Sequence, residues 1–309
     1  MKTENFKMKK IIAILLITAF FSCKQEAKQN GKLNIVTTTT MITDLVKNIG
    51  GDYVNIEGLM GSGVDPHLYK ASEGDVTKLV NANVIFYNGL HLEGKLVEVF
   101  EKMGSSTKTP IALGEELDKS TLIGSDYFAS NYDPHVWFDI AYFKQFAKKV
   151  TKVLSEKSPE HADAFKANES AYLAKLDDLQ TKLKAKIETL PKEKRILVTA
   201  HDAFNYFGKA YDFEVVGLQG LSTATEAGVQ DVQKLSAFII ENEIKAIFVE
   251  SSVPRRTIEA LQAAVKSKGH DVEIGGTLYS DALGNAGTPE GTYIGMFEYN
   301  VNTIVDALK

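Results

Sequence analysis

Cysteine is nearly absent from this chain of 309 residues, which contains one, and proline is sparse at seven. A single cysteine cannot form an internal disulfide, so the chain is not a disulfide-stabilised scaffold. Acidic residues outnumber basic ones, 40 to 35, which leaves no excess positive charge for a nucleic-acid backbone. The hydrophobic content of 44% excludes a disordered chain, and the length provides core for about two domains.

The longest apolar run lies near the N-terminus and extends from Ile11 to Phe21, interrupted only by Thr18. Four lysines precede it. The run is too short to span a bilayer as a lone helix, and its flanks are typical of a secretory signal peptide. We therefore predict a signal peptide at residues 1–22 and expect the rest of the chain to lie outside the cytoplasm.

The only cysteine, Cys23, follows this run directly. A small residue before it and a polar tract to Lys32 after it resemble a bacterial lipobox, although Phe20 stands where an aliphatic residue is usual. The resemblance implies that Cys23 is the lipid-modified first residue of the mature chain, with residues 23–32 as a tether to the membrane. The alternative is an incidental cysteine near an ordinary signal-peptidase site. Without residues 1–22, the chain has 31 basic and 39 acidic residues, a net charge of −8.

From Leu33 onward, short β-branched runs alternate with helical periodicity, and Ser72 with Asp75 approximates a capping box. This β-α-β-α alternation is typical of parallel sheets with covered faces. Strands are predicted at 33–37, 53–58, 84–87, 195–199, 246–249 and 272–274. Helices are predicted at 41–49, 72–81, 92–103, 203–211, 232–242, 254–268 and 290–308.

A glycine-free stretch at 158–190 separates two such halves. Ser158 is the expected N-cap, Pro159 occupies the first helical position, and Pro191 ends the stretch. A helix of this length would extend about 45–50 Å. The predicted fold is α/β, with βα-type lobes at 33–157 and 191–309 joined by one long rigid helix at 158–190. The alternative is an ordinary packing helix.

Three of the six histidines occur in similar settings. Two Asp-Pro-His tripeptides end at His67 and His135, and His201 lies just past a predicted strand. Proline restricts its own backbone and that of its predecessor, so each loop would hold its imidazole stiffly. Separations of 68 and 66 residues mean that the three can converge only from separate loops, at the carboxyl ends of strands. As a set they indicate a metal site.

A fourth ligand is expected from the loop before the C-terminal helix. The segment 280–284 follows the weakest predicted strand, and Asp281 is its only carboxylate. Glu250, which closes the strand at 246–249, is the best-placed partner for the second ring nitrogen of a ligating histidine. The alternative for Glu250 is a surface residue that ends a strand.

The chain resembles the metal-binding lipoproteins of bacterial ABC importers, the cluster A-I (cluster 9) zinc/manganese solute-binding proteins. The resemblance covers essentially all of 33–309. The residues that carry it are Gly63–Tyr69, Tyr87–Leu90, Asp133–Trp137, Thr199–Phe204, Val249–Glu250 and Asp281.

The resemblance implies two lobes that bind one ion between them, with His67 and His135 from the first lobe and His201 and Asp281 from the second. It implies no catalysis and, as partners, an ABC permease with its cytoplasmic ATPase and a membrane reached through the lipid anchor. Neither nucleic acid nor a second copy of the chain is expected. Three imidazoles and one carboxylate favour Zn²⁺, whereas manganese-specific relatives usually have glutamate in place of His201. Mn²⁺ or iron remains the alternative, because the segment 115–132 contains no histidine, unlike the His-rich loop of many zinc members.

The remaining candidates have structural interpretations. Asp65 and Asp133 are expected to cap their turns, and Trp137 to support the His135 loop. His91 is expected at a helix start, and His161 and His270 at exposed positions.

Two other functions fit the same ligands. In a secreted zinc hydrolase, Asp281 would be a base beside an open coordination position. In a surface adhesin the metal would be structural, so that chelation would unfold the protein.

Overall fold

The structure is a computed structural model in which residues 31–104, 110–126 and 128–309 are described. Residues 33–309 form one compact unit. The predicted signal peptide at 1–22 and Cys23 lie outside the described residues. Within the described ranges, no helix combines the length and apolar content needed to cross a membrane.

The elements of the first half are β1 Leu33–Thr37, α1 Thr40–Gly50, β2 Val54–Gly58, α2 Glu73–Asn81, β3 Val84–Tyr87, α3 Val97–Gly104, β4 Ile111–Ala112 and α4 Ile140–Lys157. The four strands form a parallel sheet in the order β2-β1-β3-β4. Asp75 and Ser72 form the predicted capping box at the start of helix α2.

The elements of the second half are β5 Ile196–His201, α6 Asn205–Tyr211, β6 Glu214–Gln219, α7 Val229–Glu241, β7 Ala246–Glu250, α8 Arg256–Ser267, β8 Glu273–Leu278 and α9 Tyr293–Leu308. Its strands form two parallel pairs, β5-β6 and β7-β8. The predicted α/β class with parallel sheets is confirmed.

The long helix between the halves, α5 Ala162–Ile187, begins later than predicted. Ser158 ends α4 instead, because its N–H donates to Leu154 O, and a 3₁₀ turn at Pro159–His161 intervenes. The 26 helical residues extend about 39 Å, which is shorter than the sequence predicts. The guanidinium of Arg195 donates to the carbonyls of Ile187 and Leu190 and so satisfies the end of the helix.

The largest hydrophobic cluster includes side chains from both halves. Helix α5 packs against α1 and α4 of the first half and α9 of the second. Phe143 of α4 stacks on Tyr293 of α9 with ring centroids 3.8 Å apart. The two halves therefore share a continuous apolar core beside the connecting helix.

The structure contains elements that the sequence did not predict. Helix α4 had clear signals, an Asp139 N-cap and buried apolar residues spaced three and four apart. Strand β6 was not predicted because Gly217 interrupts its β-branched pattern. The structure requires glycine there, since a Cβ would lie 2.5 Å from the amide nitrogen of Asp202. Helix α3 starts five residues later than predicted, because Leu90 and His91 adopt positive φ and hold the preceding segment in a turn.

Candidate metal centre

The sequence-predicted ligands come from four separate connections. His67 follows β2, His135 precedes a 3₁₀ turn that leads into α4, His201 is the last residue of β5, and Asp281 follows β8. Three of these residues lie at or after the carboxyl ends of strands in three different sheets, the position where loops of α/β proteins commonly hold ligands.

The two Asp-Pro-His segments have the same local structure. Asp65 accepts the backbone N–H of His67 at 2.8 Å, and Asp133 accepts that of His135 at 2.9 Å. Both aspartates thus close the turn two residues ahead, as the sequence predicts, and fix the backbone from which each imidazole projects.

The four side chains meet in a buried cluster. Asp281 lies nearest to His201, with 3.2 Å from Oδ2 to Nε2, and its oxygens are 3.6 Å from His135 Nε2 and 3.9 Å from His67 Nε2. The Nε2 atoms of His67 and His135 are 3.3 Å apart. The four potential ligand atoms all lie within 4.8 Å of one another. One ion at the middle of this cluster could reach all four.

Two carboxylates lie behind the histidines, on the side away from Asp281. Glu250 Oε2 is 2.6 Å from Nδ1 of His201, and its other oxygen accepts the His201 backbone N–H at 2.9 Å. Asp133 Oδ1 is 2.7 Å from Nδ1 of His135. A carboxylate at Nδ1 holds the proton there and leaves Nε2 free as a ligand. The sequence pointed to Glu250, but it assigned Asp133 only to the turn.

Burial and charge set opposite protonation tendencies in the cluster. Burial lowers the pKa of His67 to about 3, against the attraction of Asp281, so this imidazole is neutral at pH 7. Burial also opposes charge on His201, but the carboxylates of Glu250 and Asp281 prevail and raise its pKa well above the ordinary value. Burial likewise opposes charge on Asp281, yet the nearby histidines hold its pKa below the usual range.

The cluster leaves polar atoms without hydrogen bonds. Among the described residues, both carboxylate oxygens of Asp281 and Nε2 of His201 are buried, and they face only one another and the other two imidazoles at 3.2–3.9 Å, without an aligned hydrogen bond. Buried polar groups normally have hydrogen bonds. A group of buried nitrogen and oxygen atoms without them fits a bound cation, for which these atoms are suitable ligands.

The family model described as "Zinc-uptake complex component A periplasmic" matches residues 35–307. The chain belongs to this zinc-uptake family. Zinc-binding protein TroA of Treponema pallidum (strain Nichols) is 47% identical over 300 residues, which cover 96% of each chain. Manganese-binding lipoprotein MntA of Bacillus subtilis (strain 168) is 49% identical over 278 residues, which cover 90% of each.

A solved structure supports the same assignment of the fold to the zinc-uptake family. It is the periplasmic zinc binding protein TroA from Treponema pallidum, which superimposes with a TM-score of 0.87 at 49% identity, covering 90% of this chain and 99% of that one. The α/β architecture is therefore that of a periplasmic metal-binding protein of this family.

Trp137 packs against His135 and supports the loop of that residue, as predicted. It is buried, its ring lies 5.3 Å from that of His135, and its Nε1 donates to Ser280 O beside Asp281. Trp137 thus connects the loops that carry two of the four cluster residues.

The other three histidines lie outside the cluster, and their predicted settings need correction. His91 sits in a positive-φ turn ahead of α3 and does not start a helix, because the backbone there is left-handed. His161 is half-buried because it packs at 4.4 Å against Tyr53. His270 is also half-buried, with Nε2 3.4 Å from Ile244 O.

Proposed function

We propose that this chain is the extracytoplasmic solute-binding component of an ABC importer. It would capture a divalent transition metal, with zinc favoured, and deliver the metal to a permease driven by a cytoplasmic ATPase. The observation that carries the proposal is the buried set of three imidazoles and one carboxylate, whose ligand atoms lie within 4.8 Å. Membership of the zinc-uptake family and the names of the TroA and MntA relatives support it.

The ligands in this proposal are His67, His135, His201 and Asp281, held between lobes at 33–157 and 191–309. Four protein ligands complete a tetrahedral sphere, whereas a catalytic zinc keeps one position open for water. All four residues are at most 5% exposed, which leaves little access for a second reactant. Capture without chemistry fits this geometry better than hydrolysis does.

The metal is examined by two measurements on the same protein. In competitive titration we expect the Kd for Zn²⁺ to lie about two orders of magnitude or more below that for Mn²⁺, but the Irving–Williams order favours zinc at nearly any nitrogen-rich site, so the transported ion is decided by the second measurement. Metal analysis of the protein purified from its own host is expected to find zinc. Manganese or iron in that sample would instead support uptake of those ions by the same mechanism, which the similarity to MntA keeps as the second candidate.

We further propose that residues 1–22 are a signal peptide and that a lipid on Cys23 anchors a monomeric protein, through the tether at 23–32, to the outer side of a bacterial cytoplasmic membrane or to a surface. The lipoprotein named MntA supports this proposal. In a cell fractionation experiment, we expect the unaltered chain in the membrane fraction and Cys23→Ser to shift to the aqueous extracytoplasmic fraction. An unchanged distribution would contradict the anchor.

A further inference from the structure

A hydrogen bond connects the His67 loop to the second half of the molecule. Thr223 Oγ1, in the loop between β6 and α7, donates to Oδ2 of Asp65 at 2.5 Å, across 158 residues of sequence. The other oxygen of Asp65 accepts the backbone N–H of His67. One carboxyl group therefore joins the backbone of a cluster histidine to a hydroxyl of the opposite half.

The loop that carries Thr223 is itself held near His201. Gln219, the register partner of His201 in the β5-β6 pair, donates from Nε2 to Thr225 O at 3.3 Å. The N–H of Asp202 donates to Gly220 O at 3.3 Å. These contacts brace the loop 220–225 against the end of β5, so Thr223 has a defined place relative to His201.

His67 is the outermost member of the cluster. It is 5% exposed, whereas His135 and His201 are fully buried and Asp281 is 1% exposed. The ring of Phe128 lies edge-on to His67 at 6.4 Å and covers another side of it. His67 is therefore the cluster residue that lies nearest to solvent.

We propose that the hydrogen bond between Asp65 and Thr223 is a latch that sets the rate at which the bound metal exchanges with solvent. Asp65 and Thr223 are positioning residues, since they act through the His67 loop and not on the ion. The latch must open before His67 can move away from the other three side chains. This inference rests on the proposed metal-binding function.

The expected change in the rate of metal dissociation follows from the burial of the hydrogen bond between Thr223 and Asp65. Thr223 is 8% exposed, so removing its hydroxyl leaves a carboxyl oxygen of Asp65 in a site with little water to replace the donor. We expect Thr223→Val to speed metal dissociation about tenfold. Association uses the same opening, so the equilibrium affinity is expected to change by less than the dissociation rate.

The test compares three variants of the mature chain with the wild type. Thr223→Val removes the hydroxyl, Thr223→Ser restores it, and Thr225→Val changes an exposed threonine of the same loop. Zn²⁺-loaded protein is mixed rapidly with an excess of a chromogenic chelator to give the dissociation rate. The visible absorption spectrum of the Co²⁺-loaded protein then reports the geometry of the ligands.

We expect faster release for Thr223→Val alone, wild-type rates for the other two variants, and an unchanged Co²⁺ spectrum in all of them. Equal rates for Thr223→Val and Thr225→Val would overturn the latch. A changed Co²⁺ spectrum in Thr223→Val would also overturn it, because Thr223 would then act on ligand geometry. Failure of the wild-type chain to bind Zn²⁺ would refute the proposed function itself.

Discussion

Asp281→Ala is expected to weaken Zn²⁺ binding by about two to three orders of magnitude. Structural zinc sites bind with about 10–16 kcal/mol, so the loss of one ligand in four removes on the order of 3–4 kcal/mol. Asp281 is also the anionic member among the four, and its oxygens face the Nε2 atoms of all three histidines. Isothermal titration with Zn²⁺ against a competing chelator measures the change.

Asp271→Ala is the matched control, because Asp271 is an exposed aspartate of the same half. Its affinity is expected to equal that of the wild type. The same experiment separates the importer component from a hydrolase in which Asp281 is the base. Near-normal Zn²⁺ affinity in Asp281→Ala, together with loss of a hydrolytic activity present in the wild type, would favour the hydrolase and contradict the ligand role.

Glu250→Gln is expected to weaken Zn²⁺ binding by about 10–100-fold, although Glu250 is not a proposed ligand. The carboxylate holds the ring of His201 through Nδ1 and its backbone through the N–H. Glutamine keeps the shape but loses the charge that orients the imidazole and makes it a stronger ligand. The exposed Glu273 provides the control variant Glu273→Gln.

The contact between Glu250 and His201 also predicts how many protons are released when Zn²⁺ binds. Because the pKa of His201 is raised, its imidazole is the doubly protonated cation at pH 7 in the metal-free protein, and Zn²⁺ must displace the proton on Nε2. His67 contributes no proton there, since its pKa is about 3. Calorimetry in buffers of different ionisation enthalpy should find about one proton released from His201 in the wild type.

The release from His201 should fade as pH rises through the raised pKa of that group. It should be smaller at pH 7 in Glu250→Gln, because the loss of the neighbouring charge lowers the pKa of His201. The same affinity and the same proton release in wild type and Glu250→Gln would show that Glu250 has no influence on the centre.

Several elements could be predicted because their signals are local. Strands β1 and β3 have the predicted bounds, and the capping box at Ser72 forms as the residue types require. The tripeptides before His67 and His135 also form their turns from within, since aspartate and proline restrict the backbone without outside help.

Other features depended on contacts that the sequence does not reveal. Asp133 and Asp65 lie in the same type of tripeptide, and each accepts the backbone N–H two residues ahead at Oδ1. Only Asp133 Oδ1 also meets the ring of the histidine, and the second oxygen accepts from Asn205 in Asp133 but from Thr223 in Asp65. The tripeptide is identical in the two cases, so these differences come from the surrounding chain. The glycine in strand β6 likewise has a tertiary cause, because Gly217 lies too close to Asp202 for any side chain to fit.

The sequence by itself determined the α/β class, the helix between two halves and the residue types of the cluster, because periodicity, caps and turn chemistry act over a few residues. The tertiary structure decided that four residues spread over 214 positions meet within 4.8 Å, which carboxylate lies behind each imidazole, and which hydroxyl closes the His67 loop. Those outcomes arise because loops after strands of separate sheets, together with the turn before α4, converge on one buried place, and because burial leaves each polar atom few partners.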